Sequence, residues 1–502
     1  IGWGADPPSL DPGIAEDTTS SHILTNLFDP LVKLNPDTLE AEPSLAESWD
    51  VEGTTVTFHL RQDGTWTNGD PVTAQDFVYS WQRTLDPAAA TDYSYQLYGI
   101  KGAAEYNGCE GAAAKCNKMR DAVAVTAVDD YTLQVELTSA QPWFVQQAAH
   151  HSFMPVHQAT VEQFGDKWTE PENIVTNGPF MLESWEHEAT IDMVKNPDWR
   201  GAADVKLERI EGRIIVDGIT RVQSFEAGEI DALDGAGLPP EEIERLKGET
   251  YYEQYPALGT YYYGFNIKNL DLDTRKALSL AINRKIITDN IDRTGRDQAT
   301  GMTPKGMPGF DTLNPQSPWL PPEGDIEQAK SLLPASAPKT INLFHNDAPG
   351  HKEIAVAVQD NWKELGIETT IKAQEWAQYL EFLGPPPNTA VDVYRLGWIY
   401  DFVDAINGLE LFTCDSGNNN TNWCNEEFDA LVEQAKGEAD DNARWELYAQ
   451  MEDIMFGENG ELPITPIMWY TYPNLEADNV RDTFFISPLD QIDFTKVVVT
   501  EG

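Results

Sequence analysis

The chain has 502 residues, 41% of them hydrophobic, and carries 34 basic against 83 acidic side chains, a formal net charge of −49. One hydrophobic core rarely serves this length, so we expect two or three domains. The charge argues against nucleic acid as a partner, because a phosphate backbone requires a basic footprint, and against direct adhesion to anionic lipid. We interpret it as a solvated surface that keeps copies of the chain apart.

Targeting and membrane signals are not evident in the sequence. No run of about 18 apolar residues occurs, so no membrane span is predicted. The chain starts at Ile1 without a basic region followed by an apolar one. We therefore expect a mature or trimmed chain, whose export signal or lipid anchor would lie upstream.

Short strands and turns dominate the predictions for the N-terminal half. Alternating apolar residues predict a strand over 55–60, and Asp and Gly residues predict turns over 63–71. Thr73 is a plausible N-cap for a helix over 74–85. Further strands are predicted over 131–137 and, as a pair, over 183–196.

The C-terminal half alternates between helical and strand patterns. This alternation predicts an α/β domain with a mixed or parallel sheet. Helices are predicted over 273–291, 351–366 (ending at Gly366) and, as a pair, 425–458; strands are predicted over 339–346 and 367–376.

The four cysteines form two close pairs in small, polar segments. Cys109 and Cys116 bracket EGAAAK, and Cys414 and Cys424 bracket DSGNNNTNW. We predict two local disulfides, which are typical of exported proteins. The alternative is zinc, although no CxxC spacing or nearby histidine pair completes four ligands.

No catalytic signature is found. The sequence contains no GxSxG, HExxH, GxGxxG or phosphate-binding loop. His150, His151 and His157 are conceivable metal ligands, but their spacing matches no common site. With 83 acidic residues, a carboxylate pair of glycosidase type would arise by chance. We therefore predict a protein that is not an enzyme and has no cofactor or metal.

Several long segments carry a resemblance to a known family. The segment RQDGTWTNGDPVTAQDFVYSWQRTLDP (61–87) resembles the signature region of the family 5 extracellular solute-binding proteins. The opening PSLDPGIAEDTTSSHILTNLFDPLVKLNPDTLEAEPSLAESWDV resembles the opening of this family, whose members are similar to the oligopeptide-binding protein of peptide ABC importers. Further segments follow in the family's order over essentially the whole chain: FGDKWTEPENIVTNGPFMLESW, GEIDAL, TYYYGFNIKN and NNTNWCNEEFDALVEQA.

The resemblance implies an α/β fold of two lobes, the type II periplasmic-binding-protein fold in its large form with an extra strand-rich subdomain and a hinge between the lobes. It places lobe I at 1–30, 161–258 and 472–502, the inserted subdomain at 31–160 and lobe II at 259–471. It implies a monomer that delivers ligand to the permease and ATPase subunits of an ABC importer. Its location would be the periplasm or, as a lipoprotein, the extracellular face of the membrane, with no membrane contact beyond that anchor or the permease.

Arg395 and Asp401 are charged residues in the otherwise apolar run VDVYRLGWIYDFVDAINGLELF. In the family branch that this run resembles, an aspartate after a GW pair meets the ammonium end of an extended peptide, and an arginine before the pair meets its carboxylate. Burying either ligand charge without a partner is expensive, so an opposite charge at each end is physically reasonable. Gly397 and Ile399 would bond the ligand backbone, as an added strand does.

The remaining candidate residues also rest on the resemblance. His351 is expected to contact longer ligands, and Glu16 and Thr18 are expected to contact the ligand from the first lobe. The expected walls of the side-chain pockets are aromatic: Tyr98, Tyr262, Trp376, Trp398 and Tyr470. Two structural alternatives stay open. Arg395 could pair with Asp401 or Asp404 within the chain, and Trp376 and Trp398 could be plain core residues.

Ligand identity is narrowed but not fixed by these features. We predict short peptides in an extended conformation within a closed interlobe cleft. The alternatives are the same fold with another solute, such as an oligosaccharide or an amine-bearing small molecule, and a secreted hydrolase. The loop AQYLEFLGPPPNTAVD has no basic residue where the oligopeptide branch has one for longer ligands, which leaves the preferred length open.

Overall fold

The structure, a computed structural model, describes residues 1–36, 38–89, 91–235, 238–313, 317, 319–348, 350–384 and 390–500. The chain forms two compact units. The first comprises Ile1–Leu238, Glu249–Tyr255 and Pro473–Gly502, and the second comprises Pro239–Gly248 and Pro256–Tyr472. The predicted α/β architecture with two lobes is confirmed. The finer division, with 31–160 as a separate subdomain, stays a prediction.

The first unit contains two four-stranded sheets and a hairpin. One sheet has the order β1-β10-β9-β8, with β1 parallel to β10 and the other pairs antiparallel; the second has the order β4-β5-β7-β6 and is antiparallel throughout. The strands are β1 (Gly2–Trp3), β2 (Val32–Leu34), β3 (Ala41–Pro43), β4 (Ala46–Glu52), β5 (Thr55–Leu60), β6 (Val125–Asp129), β7 (Thr132–Glu136), β8 (Phe180–Glu186), β9 (Thr190–Lys195) and β10 (Arg209–Ile214). These include the predicted strands.

Along the chain, the helices of the first unit are interspersed with these strands. They are α1 (Thr18–Leu27), α2 (Ala74–Thr84), α3 (Ala103–Asn107), α4 (Ala113–Arg120), α5 (Phe144–Gln147), α6 (Gln158–Phe164) and α7 (Gly218–Glu226). Thr73 is the N-cap of α2, as predicted. The Asp76 carboxylate accepts hydrogen bonds from both the backbone N and the Oγ1 of Thr73, which ties the first turn together.

The second unit is built on one five-stranded sheet of order β13-β12-β14-β11-β15. β12 is parallel to both β13 and β14, whereas β14 is antiparallel to β11. The strands are β11 (Tyr252–Phe265), β12 (Thr340–Asn346), β13 (Glu368–Gln374), β14 (Val393–Ile399) and β15 (Ile464–Leu475). The predicted mixed sheet is therefore present.

Helices cover this sheet and supply the rest of its core. They are α8 (Pro240–Leu246), α9 (Leu272–Ala281), α10 (Arg284–Ile286), α11 (Phe310–Leu313), α12 (Ile326–Leu332), α13 (His351–Glu364), α14 (Trp376–Leu383), α15 (Ile406–Leu409), α16 (Glu426–Gly437) and α17 (Asp441–Phe456). In the core, Leu278 of α9 and Trp362 of α13 pack with strand residues such as Ile341 and Val393. The α13 segment ends at a glycine, Gly366, with φ of 75°, as the sequence predicted.

The single helix predicted over 273–291 is wrong. Helix α9 ends at Ala281, Ile282 is extended, and Asn283 caps the next helix by accepting a hydrogen bond from the Ile286 N–H. A π-helix, Ile287–Asp292, follows. The buried Arg284 guanidinium stabilises the break, because Nη1 donates to the carbonyls of Ser279 and Ile282.

Both predicted disulfides are confirmed. Cys109 is bonded to Cys116 and Cys414 to Cys424, so the zinc alternative for these residues is wrong. Within the part of the chain that the structure describes, no cluster of side chains suits a metal ion, and no helix is long and apolar enough to cross a membrane.

Glu476 is a buried carboxylate close to the points where the chain passes from one unit to the other. Its Oε1 accepts hydrogen bonds from Tyr255 Oη at 2.6 Å and Asn474 Nδ2 at 3.0 Å, whereas Oε2 has no hydrogen-bond partner among the described residues. Burial raises the pKa of Glu476 from 4.5 to about 7, against the effect of these two donors. The folded state therefore holds a proton on this group that the unfolded chain releases.

We predict that Glu476→Gln stabilises the protein at neutral pH but not in acid. Because the folded pKa is raised, the folded state binds more protons than the unfolded state between pH 4.5 and 7, and stability falls as the pH rises through this window. The substitution removes that loss, so the free energy of unfolding should exceed that of wild type by up to about 3 kcal/mol at pH 7.5 and match it near pH 4.5. Denaturant unfolding across this range measures the difference.

Glu446→Gln, at an exposed position in the middle of α17, controls for the loss of one negative charge. The prediction fails if Glu476→Gln and Glu446→Gln change the free energy of unfolding by equal amounts at every pH.

Candidate ligand-binding site

Strand β14 has one edge that is only partly occupied. On one side it pairs with β11 along its whole length, from Val393↔Phe265 to Ile399↔Gly259. On the other side its register with β12 covers Val393 and Tyr394 alone. Beyond Tyr394, no strand of the described residues pairs with this edge.

Backbone groups of Gly397 and Ile399 point toward that open edge. The Tyr400 N–H donates to the Leu258 carbonyl of β11 at 2.8 Å. In an antiparallel pair, alternate residues direct their backbone groups to the partner strand, so Trp398 also faces β11 while Gly397 and Ile399 face away. An extended chain laid along this edge would find hydrogen-bonding groups at two successive outward positions.

Arg395 lies where β12 and β14 part, and it is 8% exposed. Its Nη1 donates to Asn346 Oδ1 at 3.2 Å and its Nη2 donates to Tyr470 Oη at 2.7 Å. The guanidinium carbon is 4.3 Å from the centre of the Tyr261 ring, a cation–π contact. Among the described residues, no carboxylate lies within ion-pair distance of this arginine, and its buried Nε has no hydrogen-bond partner.

Tyrosines hold this arginine and the strand around it. The Tyr379 hydroxyl donates to the Arg395 carbonyl at 2.7 Å, on the side where β12 has departed. The Tyr470 ring crosses Gly397 and Gly259 so closely that a Cβ at Gly397 would overlap Tyr470 Oη, and one at Gly259 would lie 2.7 Å from Tyr470 Cδ2. Glycine at both positions is therefore a packing requirement.

Asp401 follows the end of β14 by two residues and is partly exposed. Its backbone N donates to Asn407 Oδ1 at 2.9 Å, and its Oδ2 accepts from Asn407 Nδ2 at 3.2 Å. Burial raises the pKa of the nearby Glu410 carboxyl against the effect of Lys436, and Asp404 and Asp401 raise it further. The strand thus runs from a buried cation at Arg395 to an acidic end at Asp401.

The intrachain ion pair considered for Arg395 is not formed with any carboxylate of the described residues. Asp404 instead pairs with Arg444 at 3.2 Å and accepts a hydrogen bond from Tyr448 Oη. Both partners come from α17, some 40 residues further along the chain, which the sequence pattern did not reveal.

His351 stands at the start of α13, with its ring centre 5.5 Å from that of Tyr261. Burial, followed by the charges of Arg395, His345 and Arg296, lowers the pKa of His351 to about 2. The imidazole is therefore neutral at physiological pH. A hydrogen bond from His351 to a ligand would therefore come from an uncharged imidazole.

The aromatic candidates of the second unit differ in exposure. Trp376 at the start of α14 is 47% exposed, with its ring centre 6.3 Å from that of Tyr379. Trp398 is partly exposed, and its Nε1 donates to Asn407 Oδ1 at 2.9 Å. Tyr262 is 3% exposed and packs edge-on against Phe412. The pocket-lining roles of these residues stay predictions.

Three predicted ligand residues belong to the first unit. Tyr98 is 38% exposed and donates its hydroxyl to Asn107 Oδ1 at 2.6 Å. Glu16 is exposed, as is Thr18, the first residue of α1. Their contribution to a ligand site stays a prediction, and residues 385–389 of the loop without a basic residue lie outside the described residues.

Sequence reasoning missed several residues that the structure places around Arg395 and Asp401. These are Tyr379, Asn346, Tyr261 and Asn407. Tyr261 lies within the segment TYYYGFNIKN quoted for the family resemblance, and its ring centre is 5.9 Å from that of Tyr263. Tyr379 and Asn346 carried no signal, because their contacts depend on the divergence of β12 from β14. Asn407 lies within the quoted apolar run, but its contacts with Trp398 and Asp401 depend on how the chain folds back after β14.

Comparison with known proteins places the chain among binding proteins. The model of the bacterial extracellular solute-binding proteins, family 5, matches residues 40–420. The oligopeptide-binding protein OppA of Bacillus subtilis is 35% identical over 95% of this chain and 88% of its own, and the periplasmic oligopeptide-binding protein OppA of Escherichia coli is 34% identical over 97% and 90%.

The fold is shared with solved structures. Haemophilus influenzae OppA in complex with RPPGFSPFR has a TM-score of 0.83 and 29% identity, with 100% of this chain and 99% of that chain covered. This similarity confirms the predicted periplasmic-binding-protein class.

We predict that Gly397→Ala destabilises the protein by about 1–3 kcal/mol, because the added methyl group must displace the Tyr470 hydroxyl. Denaturant unfolding measures the loss, with Gly437→Ala as control, since a Cβ there meets no atom within 4 Å. In a Tyr470→Phe background, which lacks the overlapped oxygen, the same alanine should cost less. An equal cost in both backgrounds would refute the packing explanation.

Proposed function

We propose that this chain, which belongs to the family 5 bacterial extracellular solute-binding proteins, is the substrate-binding subunit of an ABC importer and captures short peptides in an extended conformation. The observation that carries the proposal is the open edge of β14 between Arg395 and Asp401. An added strand along this edge would bond the backbone of any peptide, whatever its side chains.

The two charges at the ends of the strand suit a zwitterion. Residues six apart on an extended strand are separated by roughly 20 Å, whereas an extended peptide of three or four residues spans about 10–14 Å. A bend at the end of β14 would shorten the distance between Arg395 and Asp401 toward the length of the peptide. We assign the ligand ammonium to Asp401 and the ligand carboxylate to Arg395. A planar guanidinium binds a carboxylate through two parallel hydrogen bonds.

Arg395 has the geometry of a preorganised anion-binding group. Two of its nitrogens already donate to neutral oxygens, which fix the plane of the guanidinium without cancelling its charge. A neutral oligosaccharide would leave that buried charge uncompensated, so we favour peptides over sugars. The relatives are binding proteins, which supports a non-enzymatic role over the hydrolase alternative.

The cellular setting follows from the same relatives. We infer that the chain acts on the outer side of the cytoplasmic membrane, as a monomer, and delivers its ligand to permease and ATPase subunits. Attachment as a lipoprotein, or retention in the periplasm, would keep the chain on that side of the membrane.

Replacing Asp401 by alanine should abolish discrimination between free and N-acetylated peptides. The carboxylate compensates a desolvated ammonium, so Asp401→Ala should weaken binding of a free tripeptide by about 2–5 kcal/mol and leave the acetylated peptide unaffected. Titration calorimetry measures both affinities, with Asp415→Ala, at an exposed position, as the charge-matched control. Equal binding of free and acetylated peptide by wild type would remove the assignment of Asp401.

Arg395→Lys should have the corresponding effect at the other end of the ligand. Lysine keeps the charge but loses the planar fork, so affinity for peptides with a free carboxylate should fall at least tenfold, or about 1.4 kcal/mol. C-terminal amidation should then cost wild type much more affinity than it costs the variant. Arg213→Lys, half exposed in the first unit, serves as control, and an unchanged response to amidation would contradict the assignment.

A further inference from the structure

Asn407, on the short helix α15, connects two residues at the end of β14. It is 2% exposed. Its Oδ1 accepts one hydrogen bond from Trp398 Nε1 and another from the Asp401 backbone N, both at 2.9 Å, while its Nδ2 donates to Asp401 Oδ2 at 3.2 Å. One buried side chain therefore contacts both an aromatic candidate for the pocket wall and the carboxylate assigned to the ligand amine.

The orientation of this amide is determined by its neighbours. An indole N–H and a backbone N–H can only donate, so the oxygen of Asn407 must face them. The amide nitrogen is then directed at the Asp401 carboxylate, which accepts. A hydrogen bond to an ionised carboxylate is stronger than one between neutral groups.

The helix that carries Asn407 is itself anchored. The Ile406 N–H donates to Asp404 Oδ1 at 3.0 Å, and Asp404 is held by the ion pair with Arg444 and the Tyr448 hydroxyl. Asp404 and Arg444 are each 5% exposed. Buried bonds from α17 therefore hold α15 in place, and with it the Asn407 side chain that contacts Asp401.

We propose that Asn407 is a positioning residue that sets the selectivity of this site for a free amine. The proposal rests on the proposed function, because it takes Asp401 as the partner of the ligand ammonium. Asn407 confines the carboxylate to one orientation and aligns it with the Trp398 indole, so little rotational entropy is lost when an ammonium binds. No other side chain of this length offers one oxygen for two donors together with an N–H for the carboxylate.

The test is the selectivity ratio, defined as the dissociation constant of an N-acetylated tripeptide divided by that of the free tripeptide. Asn407→Leu keeps the approximate volume but removes all three hydrogen bonds. We expect the ratio to fall at least tenfold, through weaker binding of the free peptide. A role confined to packing would weaken both peptides together, leave the ratio unchanged and overturn the proposal.

A double-mutant cycle shows whether Asn407 acts through Asp401. In the Asp401→Ala background, Asn407→Leu should leave the ratio unchanged, because the carboxylate that it positions is absent. An equal fall in both backgrounds would mean that Asn407 contributes independently, contrary to the proposal. If the leucine variant does not fold, Asn407→Ser replaces it, and the same comparison of backgrounds applies.

Failure of the proposed function is recognised separately. It would appear as no binding of either peptide by wild type, whereas a wild-type ratio close to one would remove only the assignment of Asp401; both are seen before any variant is made. Asn418→Leu, at an exposed position in the loop closed by Cys414 and Cys424, is the matched control and should have the wild-type ratio.

Discussion

A buried guanidinium without a carboxylate partner among the described residues is the central constraint on this site. Removing a charge from water is costly unless other groups replace the lost hydration. Around Arg395 the replacement comes from an amide oxygen, a phenol oxygen and the face of the Tyr261 ring, all of them neutral. They solvate the cation without neutralising it, so the positive charge remains available to an anion.

The same arrangement dictates the backbone around the arginine. Tyr470 reaches the guanidinium across Gly259 of β11 and Gly397 of β14, where a Cβ would overlap its ring or its hydroxyl. Tyr379 binds the carbonyl of Arg395 at the point where β12 no longer does. The two tyrosines thus hold both the guanidinium and the backbone carbonyl of Arg395 beside the open edge of β14. The residues to which we assign the ligand backbone and the residue to which we assign the ligand carboxylate therefore lie close together along β14.

Features with local causes could be predicted from the sequence. The β12–α13–β13 unit, the cap at Thr73 and both disulfides depend on periodicity, on turn chemistry and on cysteines close in sequence. The charges at Arg395 and Asp401 were conspicuous because they interrupt an apolar run. What the sequence did not reveal depends on distant segments: the contacts of Asn346 and Tyr379, which require the divergence of β12 from β14, and the break after Ala281, which Arg284 stabilises by binding carbonyls on both sides of it.

Arg395 and Asp404 do not pair because the acidic residues after β14 have cations of their own. Asp404 is close to Arg395 in the sequence, but it is bound by Arg444 and Tyr448 of α17 and caps α15 through Ile406. Glu410 lies 3.5 Å from Lys436 of α16. Each of these carboxylates therefore has a cation from the C-terminal helices, and these helices are what keeps the acidic end of β14 separate from its basic beginning. If α17 did not supply Arg444, Asp404 would need another cation to offset its burial, and the nearest buried one along the chain is Arg395, to which we assign the ligand carboxylate.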